Sequence, residues 1–175
     1  RWVEMAKASM ITILPRFNAE RQVLDYVEKF YSQARDHRRR MDGVADGAGT
    51  LAAWKQRVAE RWPGVGFVPA AAAASVGQML SFGDTLDVRA VLRLNGLTPP
   101  DVVVECLLGE TQEDGNFVVR ERFELEADSS LPGGEMTYRL ALHPHRTGLQ
   151  QYRIRAYPYH ALLAHRFELG CMRWL

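Results

Sequence analysis

The sequence of 175 residues lacks the features of several common protein classes. Its two cysteines, Cys106 and Cys171, are too few for the disulfide framework of a small secreted domain. The first residues do not form a signal peptide, and no run approaches the roughly 18 consecutive apolar residues of a membrane span. These absences predict a reduced, cytoplasmic setting and no membrane partner.

An excess of charge of one sign is also absent. The chain has 22 Lys and Arg residues against 21 Asp and Glu residues, for a formal net charge of +1. Proteins that bind nucleic acid need a concentrated surplus of Lys and Arg to neutralise phosphates. We therefore expect no nucleic-acid partner. Hydrophobic residues make up 47% of the chain, which is typical of a globular protein with one or two domains.

Catalytic and metal-binding motifs are missing as well. Neither a phosphate-binding loop nor a dinucleotide fingerprint is present. His143 and His145 would share one face of a strand, but Pro144 separates them and no carboxylate or cysteine lies nearby at ligand spacing. His160 and His165 lack such neighbours too. We predict no catalytic residue, no metal site and no cofactor site in this chain.

Apolar side chains at three- and four-residue spacing predict helices in the first part of the chain. One helix is predicted over Trp2–Ile13 and ended by Pro15; a second runs from the N-cap Asn18 to about Ala34. The first apolar face begins without a polar lead-in or a capping residue. We interpret this as a helix of a longer protein that packs against a neighbour. A processed or unusual N-terminus is the alternative.

A linker is predicted over residues 35–49. It contains the basic run Arg35–Arg40, followed by Gly- and Ala-rich residues up to Gly49. A solvated linker is the favoured interpretation of the basic run, and an anion or phosphate site is the alternative. A connecting helix is predicted over residues 50–62, with Thr50 as its cap and with Trp54 and Trp62 on its buried face.

After Gly64 the apolar period changes from 3.6 to 2, which predicts a β-domain over residues 63–175. The clearest strands are Leu86–Leu94 and Val102–Leu108, in which Cys106 is a core residue. A hairpin turn follows at residues 113–116. Other strands are predicted over residues 117–127, 136–142, 152–156 and 167–175, with an ambiguous one around Val65–Ala74. The predicted fold class is mainly β: an antiparallel, immunoglobulin-like β-sandwich of about six to eight strands after an N-terminal helical segment.

Three segments of the sequence contain family motifs: Trp2–Val27, Asn95–Glu105 and Tyr157–Trp174. The first matches the patterns W-x-x-M-x-K-x-S and P-x-F-(N/S)-x-x-R-M-V-x-x-Y, with Gln22 in place of the usual Met. The second is similar to a G-L-x-P-x-D-V-x-V-E turn and strand, and the third to a C-terminal segment in which Ala161 and Arg166 replace common prolines. Together the segments resemble the C-terminal region of bacterial α-glucan (glycogen and maltodextrin) phosphorylases.

The resemblance implies a parent enzyme that uses pyridoxal phosphate to split α-1,4-glucan with inorganic phosphate into glucose 1-phosphate. The family's catalytic and cofactor residues precede its closing helices, so none is carried over to this chain. Residues 1–34 would be closing helices of the upstream catalytic lobe, and the catalytic lobes would be the partner of this chain. The expected function is that of a non-catalytic structural or assembly domain, with homo-oligomer formation as a further possibility.

The alternative function is a carbohydrate-binding module that tethers the parent enzyme to α-glucan. β-sandwiches often bind sugars, and this alternative depends on that analogy alone. Exposed aromatic rings on one face of a sheet would support it. The candidate glucan-contacting residues are Tyr138, Tyr152, Tyr157 and Tyr159. An independent enzyme is the third and least favoured interpretation, because no catalytic site is recognised.

Overall fold

A computed structural model describes residues 1–68, 84–143 and 151–175. The chain divides into two compact units, Arg1–Thr50 and Leu51–Leu175, called here the helical unit and the sheet unit. Helix and strand occupy similar shares of the described residues, 37% and 34%, so this is a mixed α and β protein rather than the mainly β protein that was predicted. No helix in the described ranges is long and apolar enough to cross a membrane.

The helical unit contains the two predicted helices. Helix α1 spans Trp2–Ile13 and α2 spans Ala19–Tyr26. The predicted N-cap of α2 is confirmed, since the side chain of Asn18 accepts a hydrogen bond from the backbone N–H of Arg21 at 2.7 Å. A π-helical segment, Val27–Tyr31, then leads directly into helix α3, Ser32–Asp42.

The prediction of a linker from residue 35 is wrong, because α3 continues through the whole basic run. Arg and Met are good helix formers, and the first glycine after Asn18 is Gly43, which forms the C-cap of α3. Arg38 also pairs with Asp42 one turn later, at 3.3 Å. Helix α4 begins at Gly47 rather than at Thr50 and extends to Arg61.

The described residues of the sheet unit form two four-stranded sheets, and all of their pairings are antiparallel. The first sheet has the order β1-β2-β6-β5 and the second has the order β4-β3-β7-β8. The strands are β1 (Gly66–Phe67), β2 (Leu86–Arg93), β3 (Val102–Thr111), β4 (Phe117–Glu124), β5 (Glu126–Leu131), β6 (Glu135–Leu142), β7 (Gln151–Pro158) and β8 (Arg173–Trp174). The ambiguous strand around Val65–Ala74 corresponds to β1, and its later part lies outside the described residues.

Each sheet buries one apolar face. Val88 and Leu92 of the first sheet and Val104 and Cys106 of the second have no exposed surface. Trp54 and Trp62 are buried as predicted, with 4% and 5% of their surface exposed. The predicted core positions Cys106, Trp54 and Trp62 are therefore confirmed, whereas Ala127 of the predicted alternation is exposed.

The alternation over residues 117–127 concealed a break between two strands. Phe117–Glu124 belongs to the second sheet and Glu126–Leu131 to the first. Between them, buried Leu125 donates its backbone N–H to the carbonyl oxygen of Val104 at 2.8 Å. A period of two persists when a chain changes sheets, so the pattern alone does not reveal the change of partner.

The two sheets differ on the face opposite the apolar face just described, which is called here the outer face. On the first sheet this outer face carries exposed charged residues, such as Arg89 beside Asp87. On the second sheet the outer face includes Val103, Glu105 and Leu107, all buried. Strands buried on both faces need a covering layer. In the sheet unit, α4 and the segment after β7 contact β3 and the residue before it, as the next subsection describes.

Candidate functional site

A buried carboxylate, Glu105, lies at the centre of a polar cluster in the sheet unit. Glu105, 3% exposed, accepts hydrogen bonds from Arg155 Nε at 2.9 Å and Nη2 at 2.6 Å. Tyr157 donates its hydroxyl at 2.5 Å and Arg166 donates Nη1 at 2.8 Å. These four residues are called the Glu105 cluster. The Arg155–Glu105 pair is buried, whereas the Arg166 side chain is 48% exposed and reaches Glu105 from the surface. The buried carboxylate is thus paired and hydrogen-bonded, which is the condition under which a charge is tolerated in a protein interior.

Aromatic rings surround the guanidinium of Arg155. Its Cζ lies 4.8 Å from the ring centroid of Phe167 and 5.8 Å from that of Trp174. The rings of Tyr157 and Phe167 meet edge to face at 4.9 Å. Burial and the hydrogen bond to Glu105 raise the pKa of Tyr157 well above its ordinary value. The tyrosine therefore stays protonated and acts as a donor rather than as a base.

A second buried carboxylate links α4 to the start of β3. Asp101 accepts hydrogen bonds from Trp54 Nε1 at 2.8 Å and from Arg57 Nη2 at 2.7 Å. The backbone N–H and the hydroxyl of Thr98 donate to it at 2.8 and 2.7 Å. Burial alone would raise the pKa of Asp101, but the hydrogen bonds from Thr98 and Trp54 and the charge of Arg57 outweigh it and lower that pKa. Asp101 is therefore ionised at neutral pH.

The segment Tyr159–Leu175, called the closing segment, is attached at several points. The N–H of Tyr159 donates to the carbonyl oxygen of Asp101 at 2.9 Å, and Glu168 forms an ion pair with Lys55. Near its end, Arg173 Nε donates to the carbonyl oxygen of Val65 at 2.9 Å. The closing segment thus contacts α4, β3 and the residues before β1 through polar side chains.

The hydrogen bonds of these clusters attach the segments of the sheet unit to one another. Each charged group is hydrogen-bonded to a partner, so neither carboxylate is available as an unpaired general base. Burial raises the pKa of Cys106 to about 12, which keeps its thiol protonated and unreactive. In residues 1–68, 84–143 and 151–175 no group of three or more His, Cys, Asp or Glu side chains could hold a metal ion.

The four candidate tyrosines are not brought together. Tyr138 on β6 and Tyr157 on β7 are each 2% exposed, so their rings are buried within the sheet unit. Tyr152 is half-buried and pairs with Leu108 on the core side of the second sheet. Tyr159 is 39% exposed and is the one ring of the four with substantial free surface.

The histidines are engaged in local contacts. The Nδ1 atom of His143 lies 3.0 Å from the hydroxyl of Thr85, and His145 lies outside the described residues. The ring of His160 packs on Trp54 with centroids 5.1 Å apart. His165 accepts the N–H of Phe167 at 3.2 Å.

Glu105 and Asp101 were not singled out from the sequence. A usable signal was nevertheless present, because Glu105 interrupts the apolar run Val102–Leu108. A carboxylate in a strand buried on both faces must have a charged partner. Its partner Arg166 lies 61 residues later, and no local pattern connects the two.

The helical unit presents a different surface. No residue of α1, α2, the π-helical segment or α3 is buried. Trp2 is 78% exposed and Ile11 75%, although both are large apolar side chains. In the π-helical segment, Phe30 packs edge to face on Tyr26 at 6.1 Å and remains 59% exposed. Many exposed large apolar residues in one unit are typical of an interaction surface.

Comparisons with known proteins agree with the segments noted in the sequence. Residues 62–175 match the family model for the glycogen phosphorylase C-terminal domain. The chain is 32% identical over 178 aligned positions to maltodextrin phosphorylase from Thermococcus litoralis, covering 99% of this chain. It is also 32% identical to the glycogen phosphorylases of Mycobacterium bovis and Mycobacterium tuberculosis, over 97% of its length. It spans only 20% of the length of each of these relatives. No solved structure matches the chain significantly.

Proposed function

Because the chain belongs to the glycogen phosphorylase C-terminal domain family, we propose that it is a non-catalytic structural and assembly domain of an α-glucan phosphorylase. The parent enzyme would split α-glucan with inorganic phosphate to give glucose 1-phosphate. Its catalytic part would be the partner of this chain. The sheet unit would act as a rigid support, and the helical unit would dock on the catalytic part.

The exposed apolar surface of the helical unit carries this proposal. Helix α1 is apolar on several sides, since Trp2, Met5, Ile11 and Ile13 are each between 47% and 78% exposed. A helix that is apolar around most of its circumference is stable when surrounded by other protein. Burying such side chains would stabilise the docked state by about 1.5–3 kcal/mol for each large residue.

Pyridoxal phosphate would be held by the catalytic part rather than by this chain. The chain has three lysines. Lys7 and Lys29 are exposed on helices, and Lys55 is paired with Glu168. None lies in a pocket with phosphate-binding groups among the described residues. The cofactor does not fit here, and no catalytic step is assigned to this chain.

The experiment measures association between this chain and the separately produced catalytic part of its parent. We expect a complex on size-exclusion chromatography with the natural chain. The variants Ile11→Asp and Phe30→Asp should each abolish it, because a carboxylate cannot be buried in an apolar interface without a partner. Their sheet units should unfold at the same urea concentration as that of the natural chain.

The matched control is Gln33→Asp, which adds the same charge at an exposed polar position of α3. This variant should still form the complex. Equal loss of association in all three variants would contradict docking through the apolar surface. Formation of glucose 1-phosphate by this chain alone, from glucan and phosphate with pyridoxal phosphate added, would contradict a non-catalytic role.

An immunoglobulin-like arrangement of the two sheets is part of the proposal. The order β1-β2-β6-β5 corresponds to strands A, B, E and D of that fold, and β4-β3-β7-β8 corresponds to C′, C, F and G. The change of sheet at Leu125 is the expected crossing from C′ to D. Spin labels at exposed outer-face positions of β2 and β4, such as Arg89 and Glu124, would test it, because sandwiched sheets lie about 10 Å apart.

A carbohydrate-binding role is the second candidate, and the exposure of Tyr159 favours it. An exposed aromatic ring can stack on a sugar, and Tyr159 is 39% exposed. Titration calorimetry with maltoheptaose separates the two candidates. Binding in the millimolar range or tighter that is lost in Tyr159→Ala would favour the module, and absence of binding would favour the structural role.

A further inference from the structure

Two arginines on the outer face of the second sheet have no carboxylate partner among the residues that the structure describes, and we propose that they form a binding site for a phosphate-monoester dianion. Arg122, Leu107 and Arg153 lie side by side in one row across β4, β3 and β7. Directly paired residues point to the same face, so both arginine side chains extend from the outer face. Since neighbouring strands are about 4.8 Å apart, the two arginine Cα atoms are roughly 10 Å apart. Leu107 lies between them and is only 2% exposed, so a ligand would contact the guanidinium ends of the arginines rather than Leu107 itself.

The other strand arginines in the described ranges are all neutralised or hydrogen-bonded. Five of them contact a carboxylate, and Arg173 donates to backbone carbonyl oxygens. Arg122 and Arg153 do neither, and both are exposed. The five with carboxylate partners are Arg89, Arg93, Arg120, Arg139 and Arg155. Glu124 lies on the same face two residues from Arg122, so one carboxylate offsets part of the charge of the two adjacent cations. Neither cation forms an ion pair in the described residues, and together they leave a local positive potential in a chain of nearly neutral net charge.

Two neighbouring residues also contribute to the site: Phe117 orders the guanidinium of Arg153, and Gln151 supplies another hydrogen-bond donor. Arg153 lies over the ring of Phe117, with Cζ 4.4 Å from the centroid. Stacking fixes the plane of the group and leaves its edge N–H donors free. Gln151 lies on the same face, opposite Gly109. The hydroxyl of Thr111 donates to Gln151 Oε1 at 2.5 Å, which leaves the Gln151 amide N–H groups as donors.

Gly109 lets the backbone of β4 approach closely beside Leu107. A Cβ atom at this position would lie 2.1 Å from the carbonyl oxygen of Val118 and 3.1 Å from the ring of Phe117. The close approach coincides with the irregular pairing between Leu108 and Gly109, where one extra residue is inserted in β4. The space at Gly109 is therefore filled, and the phosphate would lie at the exposed guanidinium ends of Arg122 and Arg153 and at the amide of Gln151.

Charge and geometry favour a phosphate monoester over a carboxylate. A phosphate monoester carries about −1.5 to −2 charges near pH 7 and presents three acceptor oxygens. Two guanidinium forks, one from each side, match that charge and those oxygens. A carboxylate has one negative charge and two oxygens, so it satisfies one fork and leaves the second cation unpaired.

The experiment titrates the whole chain with inorganic phosphate, methyl phosphate and acetate at low ionic strength, where exposed charges are least screened. Isotope-filtered NMR monitors the Leu107 methyl groups and the Nε–H of Arg153. We expect saturable shifts with both phosphates and none with acetate. Equal affinity for inorganic and methyl phosphate would identify the phosphate group itself as the ligand, whereas a preference for methyl phosphate would identify an ester ligand.

Variants locate the site. Arg122→Gln and Arg153→Gln should each weaken phosphate binding at least tenfold, and Arg122→Lys should have an intermediate effect because it keeps the charge but loses the fork. The control Arg89→Gln/Arg93→Gln removes two arginines from the first sheet, where both are paired, and should bind like the natural chain. The absence of saturable binding, shifts centred away from Leu107, or equal weakening in the control would overturn the proposal. The result of this titration does not depend on whether the helical unit docks on the catalytic part, so the two proposals can fail separately.

Discussion

The helical unit and the sheet unit contain the same kinds of apolar side chain but differ in where those side chains lie. Leu24 on α2 is 54% exposed, whereas Leu92 on β2 has no exposed surface. Both residues fit the periodicity of their elements, 3.6 in one case and 2 in the other. Periodicity therefore identifies the side chains that require burial. It does not tell whether they are buried within the same unit or against another part of the protein. The sheet unit buries its apolar faces itself, and the helical unit presents them.

The largest effect that would test this contrast is expected at Glu105. Glu105→Ala should reduce the free energy of unfolding by about 3–5 kcal/mol, because it leaves Arg155 buried without its charge partner. Urea denaturation followed by tryptophan fluorescence measures the change. Glu124→Ala is the control: it removes a carboxylate from the directly paired position, which is exposed, and should change stability by less than about 0.5 kcal/mol. A loss below about 1 kcal/mol for Glu105→Ala would show that the cluster does not hold the sheet unit together.

A matched pair of leucine substitutions compares the units directly. Leu92→Ala should destabilise the sheet unit by about 2–5 kcal/mol through lost apolar contacts and a residual cavity. Leu24→Ala removes the same atoms from an exposed site and should change the stability of the isolated chain by less than about 0.5 kcal/mol. Thermal unfolding monitored by circular dichroism measures both. Similar losses for the two variants would mean that α2 is buried in solution and that the contrast is incorrect.

A smaller effect is expected from alkaline pH. Burial raises the pKa of Cys106 from 9.0 to about 12 and that of Tyr138 from 10.0 to about 12, and it raises the pKa of Tyr157 as well. The native sheet unit holds these protons more tightly than the unfolded chain does. Its stability is therefore complete below about pH 8.5 and decreases as pH rises toward the native values.

The expected loss is about 1–2 kcal/mol between pH 8 and pH 10. Urea midpoints across this range measure it. Cys106→Ala removes the group with the lowest ordinary pKa, so its stability should fall less steeply over the same interval. An unchanged slope in that variant would assign the alkaline loss to other groups.

Much of the fold could be predicted because its signals are local. The N-cap Asn18, the change of period near Gly64 and the buried faces of β2 and β3 each depend on residues a few positions apart. The extension of α3 through Arg35–Arg40 was missed because a charged run was interpreted as solvated linker, although arginine favours helix. The change of sheet at Leu125 was missed because alternation is the same on either side of it.

The candidate site was less predictable for a physical reason. The Glu105 cluster joins residues 50, 52 and 61 positions apart, and a buried charge gives no sequence signal about which distant cation will neutralise it. The candidate tyrosines were chosen as exposed rings, but Tyr138 and Tyr157 pack inside the sheet unit. Composition identifies a ring that can contact a sugar, whereas tertiary packing determines whether its face is free.

The attachment of Arg166 to Glu105 also has a consequence for how the domain folds. A half-formed sheet that already encloses Glu105 would hold an insufficiently compensated carboxylate until β7 and Arg166 arrive from far along the chain. Such intermediates are disfavoured, and the long loops that must close make the final step slow relative to local helix formation. The second sheet and the closing segment should therefore fold and unfold as one cooperative unit. Hydrogen exchange in β3 should occur only when Arg166 is also released from Glu105.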